Sequence, residues 1–142
     1  MPEIDFSALT PLILYALWAI VLVLLLGIAR AGAMRREKRA VNTFKALGDT
    51  ESLDAHSRAH MNTAAENLPV FAVVYLSALW VDAAAPIATL GWVILGARIL
   101  QSVIHLSSRS PVAVRLRALM LLVQVVCFIW LGVAAIISAN AG

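Results

Sequence analysis

The chain has 142 residues, of which 62% are hydrophobic and 13% are charged, and its formal net charge is +3. A soluble domain usually has about 25% charged residues, so this composition excludes an ordinary soluble domain and indicates an integral membrane protein. Nucleic acid is not an expected partner, because there is no nucleic-acid-binding motif and no aromatic residue interrupts the basic run RAGAMRREKR.

Four segments are long and apolar enough to cross a bilayer, for which roughly 20 residues are needed. The first is uncharged from Leu9 to Ala29 and follows two acidic residues, which argues against a cleaved signal peptide. The predicted helices are residues 9–33, 56–81, 84–106 and 112–138 of a single domain covering residues 1–142. We therefore expect an all-α integral membrane protein, folded as an antiparallel four-transmembrane-helix bundle.

The basic residues are distributed on one side of these spans. All eleven Lys and Arg fall between Arg30 and Arg117, and none lies in either terminus or in the short turn around Asp82. The positive-inside rule therefore predicts that both basic connections are cytoplasmic and that both termini are on the other side of the membrane. The same residues are expected to contact membrane lipids.

Two polar ridges are predicted at the cytoplasmic ends of the second and third helices, because residues three or four apart share a helix face. The first ridge is Arg58, Asn62 and Glu66, and the second is Arg98, Gln101 and His105. Ionisable groups at membrane depth are costly and usually face a partner, a cavity or water. The ridges thus predict one polar site that opens to the cytoplasm. The alternative is that Glu66 and Arg98 pair across the bundle and only fix its helix register.

Other kinds of site lack support in the sequence. No metal site is expected, because the histidines and acids form no compact ligand set and the single thiol is remote from them. No serine occupies a strand–turn–helix elbow of the kind that hydrolases use. Cys127 lies within an apolar span and is expected to be a packing residue.

Three stretches carry a resemblance to a known family. The run RAHMNTAAENLPVF, from Arg58 to Phe71, resembles the second-helix signature of the MAPEG superfamily, the membrane-associated proteins in eicosanoid and glutathione metabolism. GARILQSVIHL is similar to that family's third helix, and LRALMLLV to the start of its fourth. The resemblance extends over about residues 10 to 137 and is to a microsomal glutathione transferase-like member of the bacterial type.

The resemblance implies a homotrimer that binds glutathione, as co-substrate, in a cytoplasm-facing cleft between subunits. The residues implied in glutathione binding are Arg35, Arg36, Arg58, Asn62, Glu66, Arg98, Gln101 and His105. Arg117 would face the sulfur, with Arg115 as the competing candidate for this catalytic position. The implied activity is conjugation of glutathione to hydrophobic electrophiles, together with reduction of lipid hydroperoxides. The alternatives are a non-catalytic member that binds a lipid or a partner, and a structural subunit.

One spacing departs from the family pattern. The family usually has seven positions from the arginine to the glutamate of this motif, whereas Arg58 to Glu66 spans eight. Either Glu66 is turned by about 100° on a regular helix, or a π-bulge absorbs the extra residue. Pro69 favours a local irregularity, because it cannot donate a hydrogen bond to the carbonyl four residues back.

Overall fold

The computed structural model of the chain describes residues 5–37, 51–107 and 110–142. Within these ranges, residues 36, 37 and 51–54 are described by their backbone alone. Four residues of the topology prediction, Lys38, Arg39, Lys45 and Arg109, fall outside the described ranges. The elements are a 3-10 turn Phe6–Leu9, α1 Thr10–Glu37, α2 Glu51–His60, a π-helix Met61–Asn67 (the π-segment), α3 Leu68–Trp80, α4 Ile87–Ser107 and α5 Pro111–Ala141. No strand occurs within the described ranges.

Four helical stretches have the length and the apolar composition to cross a membrane. They are Phe6–Arg35, Ala55–Trp80, Ile87–Ser107 and Pro111–Ala141, called here the first to fourth spans. The second span joins the end of α2, the π-segment and α3 into one stretch. The expected all-α four-span fold is confirmed, and the chain is a multi-pass integral membrane protein.

Large apolar side chains cover the outside of the bundle. Examples that are at least 60% exposed come from the first, second and fourth spans: Ile28, Val73, Trp80, Ile129 and Ile136. The third span adds Trp92 and Leu100 at close to half exposure. Contiguous apolar surface of this extent is unfavourable in water but matches the hydrocarbon interior of a bilayer. Because no water is available there, the helical backbone has to satisfy its own hydrogen bonds.

The core is built around an aromatic cluster that ties three spans together. The ring of Phe71 in α3 lies 5.0 Å from Tyr15 of α1, 5.1 Å from Tyr75 of α3 and 5.9 Å from Phe128 of α5, measured between ring centroids. Offset and edge-on pairs of this kind contribute about 0.5–1.5 kcal/mol each beyond the burial of their area. The cluster therefore fixes how α1, α3 and α5 sit around one another.

Helices α3 and α4 approach closely at a glycine. A Cβ atom added to Gly91 would lie 2.7 Å from the Cε2 and Oη atoms of Tyr75, so only glycine fits beneath this ring. The hydroxyl of Tyr75 donates a hydrogen bond to the backbone carbonyl of Ala8. Tyr75 thus connects α3 to the 3-10 turn and leaves no room for a larger residue on α4.

Local capping explains where the later helices begin and end. Helix α3 ends in a Schellman arrangement, in which Ala83 N–H donates to the carbonyl of Ala78 at 2.9 Å and Asp82 has a φ of 48°. Helix α5 begins at Pro111, and the hydroxyl oxygen of Ser110 accepts a hydrogen bond from Ala113 N–H at 3.2 Å. The Ser110 cap therefore stabilises the first turn of α5.

Candidate functional site

The π-segment lies in the middle of the polar motif of the second span. Its widened turn is shown by the N–H of Leu68, which donates to the carbonyl of Thr63 five residues back. The side-chain amide of Asn67 donates to the carbonyl of Asn62. Pro69 follows directly and has no N–H to offer to the preceding turn. Of the two expected ways to accommodate the long arginine-to-glutamate spacing, the chain therefore adopts the π-helical one.

A cavity of about 550 Å³ lies where the second, third and fourth spans meet. Its described lining consists of Arg58, Asn62, Gln101, His105, Val114, Arg117, Ala118 and Leu121. Five of these residues belong to the set expected from the sequence, and the structure brings them to one place. The other three are apolar residues of α5, the helix that also carries Arg117.

A contact between α4 and α5 lies within the lining of the cavity. Nη1 of Arg117 lies 3.1 Å from Nδ1 of His105, and both side chains are half-buried. A guanidinium donates hydrogen bonds and cannot accept them, so Nδ1 of His105 is the acceptor in this contact. An imidazole that accepts at Nδ1 carries its proton on Nε2. Neither nitrogen of the ring is left to accept a hydrogen bond from a ligand.

A chain of buried hydrogen bonds, called here the relay, runs from Arg98 through Gln124 to Gln101, which lines the cavity. Arg98 is 1% exposed, and its Nε–H donates to Oε1 of Gln124 at 3.0 Å. Nε2 of Gln124 then donates to Oε1 of Gln101 at 2.9 Å and to the carbonyl of Met120 at 3.0 Å. Sequence reasoning missed Gln124, although a single amide within the apolar run of residues 118–137 was a signal that could have revealed it.

Arg98 has further neighbours on the first, second and third spans. Ser102 donates to the carbonyl of Arg98 at 2.9 Å and accepts from Nε1 of Trp18 at 3.2 Å. Tyr15 and Glu66 are near enough to Arg98 to interact with it electrostatically. The Nε hydrogen bond of Arg98 goes to an amide, and Glu66 is exposed. Pairing with Glu66 alone therefore does not explain how the buried charge of Arg98 is stabilised.

The comparison with known proteins identifies the family of this chain. The sequence model of the MAPEG family matches residues 8–137. The chain belongs to the MAPEG family. Membership makes it a membrane protein of the eicosanoid and glutathione metabolism type, and it confirms the resemblance carried by the three sequence stretches. A search of curated proteins found no match.

Several residues that the MAPEG resemblance implied lie outside the described lining of the cavity. Glu66 and Arg115 are exposed, and Arg115 is two residues from Arg117 on α5, which turns it to a different face. Arg35 is exposed in the last turn of α1. Arg36 is in α1, but its side chain is outside the described part. Within one subunit, the structure thus favours Arg117 over Arg115 as the cavity residue.

Proposed function

We propose that this MAPEG protein is a membrane-bound glutathione transferase that conjugates glutathione to hydrophobic electrophiles. The observation that carries the proposal is the composition of the cavity. Two guanidinium groups, two amides and an imidazole line it, together with the apolar side chains of Val114, Ala118 and Leu121. Glutathione is polar and the electrophile is apolar, so a cavity lined by both polar and apolar side chains suits both.

The polar lining residues match the functional groups of glutathione, which carries two carboxylates, one ammonium, two peptide groups and a thiol. Arginine binds carboxylate through two parallel hydrogen bonds, which is a role suited to Arg58. The amides of Asn62 and Gln101 suit the peptide groups. The volume of about 550 Å³ lies in the range of small-molecule sites.

The chemical step requires a thiolate. A free thiol has a pKa of about 8.5 and is mostly protonated at neutral pH, and only its ionised form is a good nucleophile. The guanidinium of Arg117 would stabilise the negative sulfur. The sulfur attacks the electrophilic carbon, a carbon–sulfur bond forms, and the leaving group departs with its electron pair. With a lipid hydroperoxide, two glutathione molecules would instead be oxidised to the disulfide while the hydroperoxide is reduced to an alcohol and water.

The proposed assembly is a homotrimer with this cleft at the borders between subunits and open to the cytoplasm. Arg58 and Glu66 are exposed on one subunit, although they belong to a span that crosses the membrane. Exposed ionisable groups at bilayer depth are costly, and a neighbouring subunit would cover them. In that arrangement Arg35 or Arg36 of α1 would supply a further positive charge. Mass measurement in mild detergent should give a trimer, and a monomer alone would contradict the assembly.

A second candidate function is supported by the position of Glu66. This carboxylate is the natural partner for the ammonium of glutathione, yet it is exposed and outside the described lining of the cavity. A lining with guanidinium groups and no carboxylate among its described residues also suits a lipid that has only an anionic head. The second candidate is therefore a non-catalytic protein that binds such a lipid, or a partner, in the same cavity.

Calorimetric titration of the detergent-purified protein with glutathione tests the first candidate. We expect binding in the wild type, a large loss in Arg58→Ala, and little change in Arg115→Ala, which serves as a matched control outside the lining. Turnover with 1-chloro-2,4-dinitrobenzene then separates the candidates. Glutathione binding without turnover would favour the non-catalytic function, and no glutathione binding would refute the transferase.

A further inference from the structure

The buried relay behind the cavity has a fixed direction. Arg98 is the starting point, because a guanidinium has only N–H donors. Its Nε–H reaches Gln124 at 3.0 Å, so the atom of the Gln124 amide that faces Arg98 is the oxygen. The amide nitrogen of Gln124 therefore points the other way, towards Gln101.

Gln124 has no remaining freedom to reverse. Its side chain is wholly buried, its oxygen accepts from Arg98, and its nitrogen donates both to Gln101 at 2.9 Å and to the carbonyl of Met120 at 3.0 Å. A rotation by 180° would place nitrogen against the N–H of Arg98 and oxygen against two acceptors. Each buried polar group left without a partner costs about 1–3 kcal/mol, so the reversed amide is strongly disfavoured.

The orientation of the Gln124 amide in turn fixes the orientation of the Gln101 amide in the cavity lining. Oε1 of Gln101 accepts from Gln124, so Nε2 is the amide atom that Gln101 has left to turn towards the cavity that it lines. Glutamine alone would be free to present either its oxygen or its nitrogen there. One turn further along α4, Arg117 acts on His105 in the same sense, since it occupies Nδ1 as an acceptor.

We propose that Arg98 is a positioning residue which, through Gln124, fixes the Gln101 amide with its N–H groups towards the cavity, so that the cavity selects ligand groups that accept hydrogen bonds. The ligand class is a carboxylate or a peptide carbonyl, and a group that must donate a hydrogen bond at this point is rejected. With glutathione as ligand, the proposal rests on the transferase function and deepens it. Arg98 then acts without touching the ligand, in keeping with its 1% exposure.

Gln124→Glu tests the direction of the relay. A carboxylate has nearly the shape of the amide and still accepts from Arg98, but it cannot donate to Gln101. The Gln101 amide would then reverse to donate to the new carboxylate and would present its oxygen to the cavity. We expect glutathione to bind at least about tenfold more weakly, because an acceptor on the ligand would meet an acceptor on the protein. If Gln124 only fills space, binding will be unchanged.

The negative charge of the new glutamate needs its own control. The same Gln124→Glu change is made in a Gln101→Met background, where no amide is present to reverse. If the relay acts through Gln101, the effect of Gln124→Glu should shrink to less than about threefold in this background, which is a coupling that a double-mutant cycle measures. An effect of equal size in both backgrounds would overturn the proposal. Gln124→Met releases Gln101 without adding a charge and should weaken binding by an intermediate factor. If Gln124→Glu does not fold, Gln124→Met provides the test in its place.

Two probes separate this inference from the transferase proposal. Each variant is titrated calorimetrically with glutathione and with octanoate, a carboxylate that has an apolar tail and no thiol. If octanoate alone binds the wild type and is weakened by Gln124→Glu, the relay stands and the transferase proposal fails. If both probes bind the wild type and neither is weakened, the relay proposal fails and the transferase proposal stands. If neither binds, both are refuted.

Discussion

Nη1 of Arg117 lies 3.1 Å from Nδ1 of His105. This contact joins the third and fourth spans within the lining of the cavity. A carboxylate in this position would neutralise the arginine, whereas an imidazole that accepts its hydrogen bond orients it and leaves its charge available. Arg117 is therefore a fixed cation in a cavity that apolar side chains also line.

Arg117→Ala should affect turnover more than binding. We expect its affinity for glutathione to fall by no more than about tenfold, or about 1.4 kcal/mol, while turnover falls much further. The reason is that a cation near the sulfur stabilises the charge that develops there, while Arg58 and the amides hold the rest of the molecule.

The measurement is the ultraviolet absorbance of bound thiolate as a function of pH in the wild type, Arg117→Ala and Arg115→Ala. The titration should shift in Arg117→Ala and remain in place in Arg115→Ala. The reverse result would transfer the role to Arg115. Absence of a thiolate signal even in the wild type would favour the non-catalytic function.

His105→Gln should keep most of the wild-type activity. Glutamine also offers an acceptor oxygen, which can take the place of Nδ1 of His105 and orient Arg117. Turnover of the wild type and of the variant is measured under the same conditions.

His105→Phe removes the acceptor altogether and should lower turnover about tenfold or more, in line with the loss of a hydrogen bond to a charged group. His56→Gln is the matched control, since His56 is outside the described lining of the cavity. A loss of turnover in His105→Gln as large as that in His105→Phe would refute the role of His105.

Gly91→Ala should destabilise the bundle. The added Cβ would lie 2.7 Å from Tyr75, whose wholly buried ring is held in place by its hydrogen bond to Ala8. Overpacking of this kind typically costs about 1–3 kcal/mol. Gly96→Ala is the control on the same helix, because nothing lies within 4 Å of a Cβ there. Thermal unfolding in detergent should show a lower midpoint for Gly91→Ala only, and equal midpoints would contradict the close approach of α3 and α4.

The proposed topology places both termini outside the cytoplasm. Single cysteines introduced at Ser7 and at Asn140, both exposed positions, should react with a membrane-impermeant thiol reagent added from outside. A Cys127→Ala background removes the native thiol. Modification of either position only after the cytoplasmic side is opened would overturn the assignment.

The sequence predicted part of the cavity because helical periodicity is a local property. Arg58 with Asn62, and Gln101 with His105, are each four residues apart, so each pair shares a face wherever its helix packs. Gln124 was not predicted, because a lone amide has no periodic partner within α5. Its function depends on the rotation of α5 against α4, which is a property of the tertiary structure.

The choice between Arg115 and Arg117 depended on the same rotation. Residues two apart on a helix point about 200° away from each other, so both cannot line one cavity. No pattern in the sequence measures the rotation of the fourth span about its own axis. In the folded chain, α5 packs against α4 with Arg117 beside His105 and Gln124 beside Gln101, and this packing brings Arg117 to the cavity.

A wide helical turn is also a place where chain length can change. Because the π-segment holds one residue more than α-helical winding would need, deletion of Ala65 would return Met61–Asn67 to an α-helix and leave Phe71 and Tyr75 facing the core. The same deletion early in α4 would swing Gly91 away from Tyr75 by about 100°. A lineage can therefore gain or lose one residue in the second span without repacking its aromatic core, while the third span tolerates no such change.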